Sequence, residues 1–150
     1  MNFESLVKGG IAEHIVEILL EQSGYTVMRV GREGLLAGVP RSQTAALNKS
    51  DSAGKITTAP SFAVFDKKGN QVTLVKVKYR SEKSKGRNIS HGLKQLVNYW
   101  PEAALVLVTP TPPCFRVVLG EGKELPIEEL FSQIKKETLI EGIGLVTKFL

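Results

Sequence analysis

The stretch PSFAVFDKKGNQVTLVKVKYR, Pro60 to Arg80, decides the fold. Two runs rich in Val, Phe, Leu and Thr flank Asp66-Lys67-Lys68-Gly69-Asn70, so the pattern predicts a β-hairpin with a loop of about four or five residues. Side chains alternate faces along a strand, so Val72, Leu74, Lys76 and Lys78 share one face and Thr73, Val75, Val77 and Tyr79 the other. An apolar face therefore ends in two ammonium groups, roughly 7 Å apart at strand spacing.

The hairpin lies inside a concentration of positive charge. From Lys67 to Lys94 there are nine Lys or Arg against Glu82 alone, a local balance of +8 in a chain whose net charge is +5, which leaves the remainder at −3. Such a segment attracts polyanions, and each phosphate it neutralises releases counterions and makes binding salt-sensitive. The competing reading is a lysine-rich solvated loop after a strand.

Upstream, a helix is expected over Phe3 to Gln22. Ile11, Ile15, Ile18 and Leu19 recur at helical spacing, Val16 and Leu20 widen that face, and Ser23-Gly24 supplies the stop. Glu13, Glu17 and Glu21 form an acidic stripe at every fourth position. Tyr25 to Val30 alternates as a strand. Residues 31–59 hold five Gly or Pro and little periodicity, which reads as a variable loop or insertion with a short helix near Gln43 to Asn48.

Downstream, a helix is expected from Ser90 to just before Pro101, with Leu93, Leu96, Val97 and Trp100 as its core face. His91, Gln95 and Tyr99 make a second stripe beside it. Ala103 to Thr109 is a continuous apolar run of the kind buried on both faces, and the strand, helix, strand order predicts a crossover onto the same sheet. Phe115 to Leu119 reads as a further strand and Pro126 to Lys136 as a last amphipathic helix, Ile127, Leu130, Phe131 and Ile134 inward. Residues 138–150, TLIEGIGLVTKFL, form an apolar tail suited to the core or to a second subunit, so a homodimer is an open expectation.

The whole is read as a single α/β domain of 150 residues, its 42% hydrophobic content sufficient for one core, with a mixed central β-sheet flanked by helices. Cys114 is the sole cysteine, so no internal disulfide forms, which suits a cytoplasmic location. MNFESLVKGG lacks the pattern of a signal peptide, and no membrane association is expected.

Proline, a short strand, a turn, and a second strand ending in two polar residues around an apolar one resembles the core of the PD-(D/E)XK nuclease superfamily, the restriction-endonuclease-like fold. The resemblance covers roughly Gly10 to Leu119. Members carry an aspartate after the proline and then (D/E)-x-K; this chain has Ser61 and Lys76 at the two acidic positions and keeps Lys78. Gly10-Ile11-Ala12-Glu13 matches the spacing at which archaeal Holliday-junction resolvases of that superfamily place a glutamate that helps hold metal. Gln95-Leu96-Val97-Asn98-Tyr99 fits the Q-x-x-x-Y pattern of RecB-like nucleases, whose residue types can bond phosphate oxygens or stack on bases.

The resemblance implies a vestigial catalytic site of Glu13, Ser61, Lys76 and Lys78. Nuclease chemistry here needs Mg²⁺ held by carboxylates; Glu13 at most remains to hold it, and an ammonium in place of an acid repels a divalent ion and attracts phosphate. The expectation is a catalytically inactive, cofactor-free protein that binds nucleic acid, DNA in the first instance, through Lys76, Lys78, Arg80, Lys83, Lys85, Arg87, His91, Gln95 and Tyr99. Two alternatives stand beside it. One is an active Mg²⁺-dependent nuclease with a relocated acid, Asp66 or Glu82; the other is a protein-interaction or scaffold subunit that keeps only the fold.

Overall fold

A computed structural model of the chain describes residues 3–30, 58–81 and 89–150, the side chains of 89–91 excepted. The opening helix, α1, spans Phe3–Gln22 and buries Ala12, Ile15, Val16, Leu19 and Leu20. It ends where the Ser23 hydroxyl donates to the Leu19 carbonyl at 2.7 Å and Gly24 takes φ of +90°, a conformation that glycine adopts without steric penalty.

Three strands follow as an antiparallel meander: β1, Thr26–Arg29; β2, Phe62–Phe65; and β3, Val72–Tyr79. The loop between β2 and β3 is closed by Asp66, whose Oδ1 accepts the N–H groups of Asn70 and Gln71 at 2.7 and 3.2 Å. Helix α2, Ile89–Tyr99, then crosses to β4, Ala104–Val108, which pairs parallel with β3. Every residue of β4 is buried, as its unbroken apolar sequence predicts. Strands β5, Phe115–Val118, and β6, Glu124–Pro126, add antiparallel to complete a mixed six-stranded sheet in the order β1-β2-β3-β4-β5-β6. Short helix α3, Ile127–Leu130, and helix α4, Lys136–Phe149, close the chain.

The period-two alternation divides the core in two. On one face Phe62, Val75, Val77, Val106 and Val117 pack against α1, α3 and α4. On the other, Leu74, Leu105 and Val118 pack against Leu93, Leu96 and Trp100 of α2. No helix among the described residues is long and apolar enough to cross a membrane.

Three expectations change at the carboxyl end. The helix expected over 126–136 lasts one turn, because Phe131 leaves helical geometry at φ −113°, ψ 81°. Its inward stripe survives without the helix, since Ile127, Phe131 and Ile134 are all buried. Gln133 explains the break: its N–H donates to the Tyr25 hydroxyl, its Nε2 to the Ser23 carbonyl, and its Oε1 accepts the Lys67 N–H, bonds that a continued helix could not make. The apolar tail is part of α4, which packs on α1 and buries Gly142 and Val146. Strand β6, too short to show a pattern, was not expected. The short helix anticipated near 43–48 lies outside the described residues.

Candidate nucleic-acid interface

Strand register places Ser61, Lys76 and Lys78. Because Phe62 pairs with Val75, Ser61 and Lys76 fall side by side at the end of the β2–β3 ladder. Ser61 is 5% exposed and fully engaged with backbone. Its N–H donates to the Val75 carbonyl at 2.7 Å, its carbonyl accepts the Val30 N–H at 3.1 Å, and its Oγ accepts the Val77 N–H at 3.1 Å. The hydroxyl thus does for β3 what a strand carbonyl would, just past the last β2–β3 pair.

Lys76 is half-buried and its Nζ donates to the Ala59 carbonyl at 3.0 Å, tying β3 to the segment that leads into β2. Lys78, two residues on and on the same face, is half-buried, and its ammonium has no hydrogen-bond partner among the described residues. Burial lowers its pKa from the usual lysine value, the Arg80 charge lowers it further, and the Glu13 carboxylate partly offsets both. Glu13 therefore reaches β3 electrostatically from α1.

The acidic stripe of α1 divides its work. Glu17 pairs with Arg29 through Oε2 to Nε at 2.9 Å and Oε1 to Nη2 at 3.0 Å, a two-bond clamp between α1 and β1. Glu21 is exposed. Of the three, Glu13 is the one whose charge acts on Lys78. Arg80 continues the parallel ladder past β3: its N–H donates to the Val108 carbonyl at 3.0 Å, and its Nη1 to the Tyr79 carbonyl at 2.9 Å.

Gln95 and Tyr99 lie on the outer side of α2, Gln95 exposed and Tyr99 36% exposed, away from the Leu93, Leu96 and Trp100 core face. Residues 82–88, with Glu82, Lys83, Lys85 and Arg87, and the side chain of His91 lie outside the described residues. Asp66 holds the turn at the opposite end of β3 from Lys78, roughly 20 Å away at strand rise.

One residue of this face escaped the reading of the sequence. Arg116 pairs with Leu107, which pairs with Lys78, so the three form one row across β3, β4 and β5. The signal was present as a lone cation in the apolar run Phe115 to Leu119. Its Nη1 lies 3.7 Å from Glu124 Oε2, and its Nε is buried without a hydrogen-bond partner among the described residues. An unsatisfied buried donor costs about 1–3 kcal/mol.

No protein-family model matches the chain, and no curated protein matches it at a significant level.

Proposed function

We propose that this chain is a restriction-endonuclease-like domain that binds the phosphodiester backbone of nucleic acid, DNA foremost, without cutting it. The observation that carries the reading is Lys78: a half-buried ammonium near the end of β3, without a hydrogen-bond partner among the described residues and under the charges of Arg80 and Glu13. A cation kept partly out of water is costly by itself and is relieved by an incoming anion. The antiparallel strands, crossover helix and parallel β4 support this reading, since Ser61 lies beside Lys76 and the Glu13 charge acts on Lys78.

The same residues do not suit Mg²⁺. That ion takes oxygen ligands in tight octahedral geometry, whereas the two expected carboxylate positions hold an ammonium and a hydroxyl already accepting the Val77 N–H. Glu13 is the remaining carboxylate of the set. A relocated acid at Asp66 is disfavoured because that carboxylate is committed to the hairpin turn.

The test is fluorescence anisotropy of labelled single-stranded, duplex and branched DNA in EDTA across a salt series, beside Lys76→Ala/Lys78→Ala. Wild type is expected to show log affinity falling steeply with log salt, and the double variant a slope shallower by about two contacts. Absence of wild-type binding at moderate salt sinks the proposal.

A second reading rests on a different observation. Phe3, Leu6 and Val7 are 81%, 56% and 47% exposed at the start of α1, an apolar patch suited to a protein partner. A homodimer seen by light scattering and lost in Leu6→Glu would favour it.

A further inference from the structure

We infer that Arg116 is a third phosphate-binding cation, completing with Lys78 a row that spans two strand spacings on one face of the sheet. This deepens the proposal above and rests on it. The residues concerned come from the register: Lys78 pairs with Leu107 and Leu107 with Arg116, so all three side chains leave the sheet on the same side. Lys76 stands in the neighbouring row, paired with Leu105, and Glu124 flanks Arg116 through Val118. At about 4.8 Å per strand the Lys78 and Arg116 backbones are roughly 10 Å apart, a gap that two long side chains close from either side of one phosphate or bridge between two neighbouring ones.

Arg116 is built for an exchange of partners. Its side chain is 19% exposed, its one ion pair is loose at 3.7 Å, and its Nε donor is buried and unsatisfied. A guanidinium offers donors in a planar fork that matches two oxygens of one phosphate, and the present contact with Glu124 leaves Nε out of that fork. Replacing the carboxylate by a phosphate oxygen on the Lys78 side gives Nε its acceptor and places the anion between two cations. A purely structural arginine in an apolar strand is expected to be fully bonded. The crossover helix adds to the field, because a helix joining two parallel neighbours runs back along them and sets its positive N-terminal end over the end of β3 that carries Lys78.

Glu124 is then a competitor for Arg116, which separates this inference from the parent reading. Binding of labelled duplex and single-stranded DNA is measured across a salt series for wild type, Lys76→Ala/Lys78→Ala, Arg116→Gln, Arg116→Lys, Glu124→Gln and Glu121→Gln, folding being checked by circular dichroism. Arg116→Gln is expected to make the log–log slope shallower by about 0.9 on duplex and about 0.7 on single strands. Arg116→Lys keeps the slope and binds more weakly, having charge without the fork. Glu124→Gln tightens binding several-fold, Glu121→Gln, the same charge change on an exposed neighbour, does so less, and the gain disappears in Arg116→Gln/Glu124→Gln.

Wild-type slope and affinity in Arg116→Gln, with the lysine double variant weakened, overturn the role of Arg116 and leave the parent reading standing. Loss of binding in none of the variants, or no binding by wild type, overturns both. Inorganic phosphate competing at millimolar levels as well as a short oligonucleotide would show a single-phosphate site and overturn the two-strand span. Where Arg116→Gln does not fold, Arg116→Lys and Glu124→Gln decide: an effect of Glu124→Gln no larger than that of Glu121→Gln, with wild-type binding in Arg116→Lys, overturns the inference.

Discussion

The Ser61 hydroxyl accepts the Val77 N–H at 3.1 Å, so the side chain that follows Pro60 finishes a β-ladder. Ser61 is buried, and its hydroxyl accepts the Val77 N–H just past the last β2–β3 pair. Ser61→Ala is expected to orphan the Val77 N–H and cost about 1–3 kcal/mol in urea unfolding. Ser61→Asp keeps an acceptor there, so it should lose less stability than Ser61→Ala. Paired with Lys76→Glu it rebuilds the acidic set around Glu13, and calorimetric titration with Mn²⁺ is expected to show binding stronger than in wild type. Equal titrations for both proteins would count against the proposed restriction-endonuclease-like assignment.

On the proposed reading Lys78 trades stability for binding. Its pKa is lowered chiefly by burial, so at neutral pH the folded chain holds a cation that the unfolded chain hydrates more fully. The unfolded state then binds more protons between the depressed pKa and the ordinary lysine value, and stability attributable to this residue rises with pH across that window. Lys78→Met is expected to gain roughly 0.5–1 kcal/mol at pH 7, kept small because the ammonium still meets solvent. The gain should shrink as pH approaches the ordinary lysine range, while DNA affinity falls at every salt concentration. A variant less stable than wild type at pH 7 would contradict the burial argument.

How much of this was legible in the sequence depends on which interaction set each element. The hairpin, the opening helix, the crossover and the two-faced sheet all follow from periodicity, because apolar side chains recurring at 3.6 or 2.0 residues are sorted by the same core that holds them. Glu13 was singled out by the resemblance that Gly10-Ile11-Ala12-Glu13 carries; in the fold its charge offsets the lowering of the Lys78 pKa. The break after Leu130 was not legible, because it is made by Gln133 bonding to Tyr25, Ser23 and Lys67, more than sixty positions away along the chain. Arg116 was overlooked for a similar reason: its meaning depends on the strand register that places it in line with Lys78 through Leu107. Ser61 read as a missing acid, and its actual bond to Val77 becomes visible only when β2 and β3 are paired.

The seam between α1 and α4 depends on a residue without a side chain. A Cβ at Gly142 would lie 3.3 Å from Phe115 Cε2 and 3.4 Å from Leu19 Cδ1, so the two helices and β5 meet there with almost no spare room. Gly142→Ala sets a helix-propensity gain of up to about 1 kcal/mol against that crowding and is expected to be near neutral. Gly142→Leu has no such compensation and should cost about 1–3 kcal/mol by overpacking. Thermal unfolding followed by circular dichroism separates the two. Tolerance of leucine would mean that α4 docks less closely than the contacts indicate.

The clamp between Glu17 and Arg29 should give the fold an acid-sensitive contribution. The Arg29 hydrogen bond, opposed by partial burial and assisted by the guanidinium charge and by His14, holds the Glu17 carboxyl below the usual carboxylate range. A carboxyl depressed on folding stabilises the native state above its unfolded pKa and loses that stabilisation as pH falls through the folded one. Arg29 is half exposed, and its guanidinium also lies 5.6 Å from the centre of the Phe62 ring, so the pair is worth no more than about 1 kcal/mol at pH 7. Glu17→Gln is therefore expected to be slightly less stable than wild type at neutral pH, with the two urea midpoints converging as pH drops below the ordinary carboxylate range. Because the pair joins α1 to β1, DNA affinity in Glu17→Gln should change only by the long-range effect of one lost negative charge. A loss of binding larger than that in Lys76→Ala/Lys78→Ala would move the interface from the end of β3 to the α1–β1 edge.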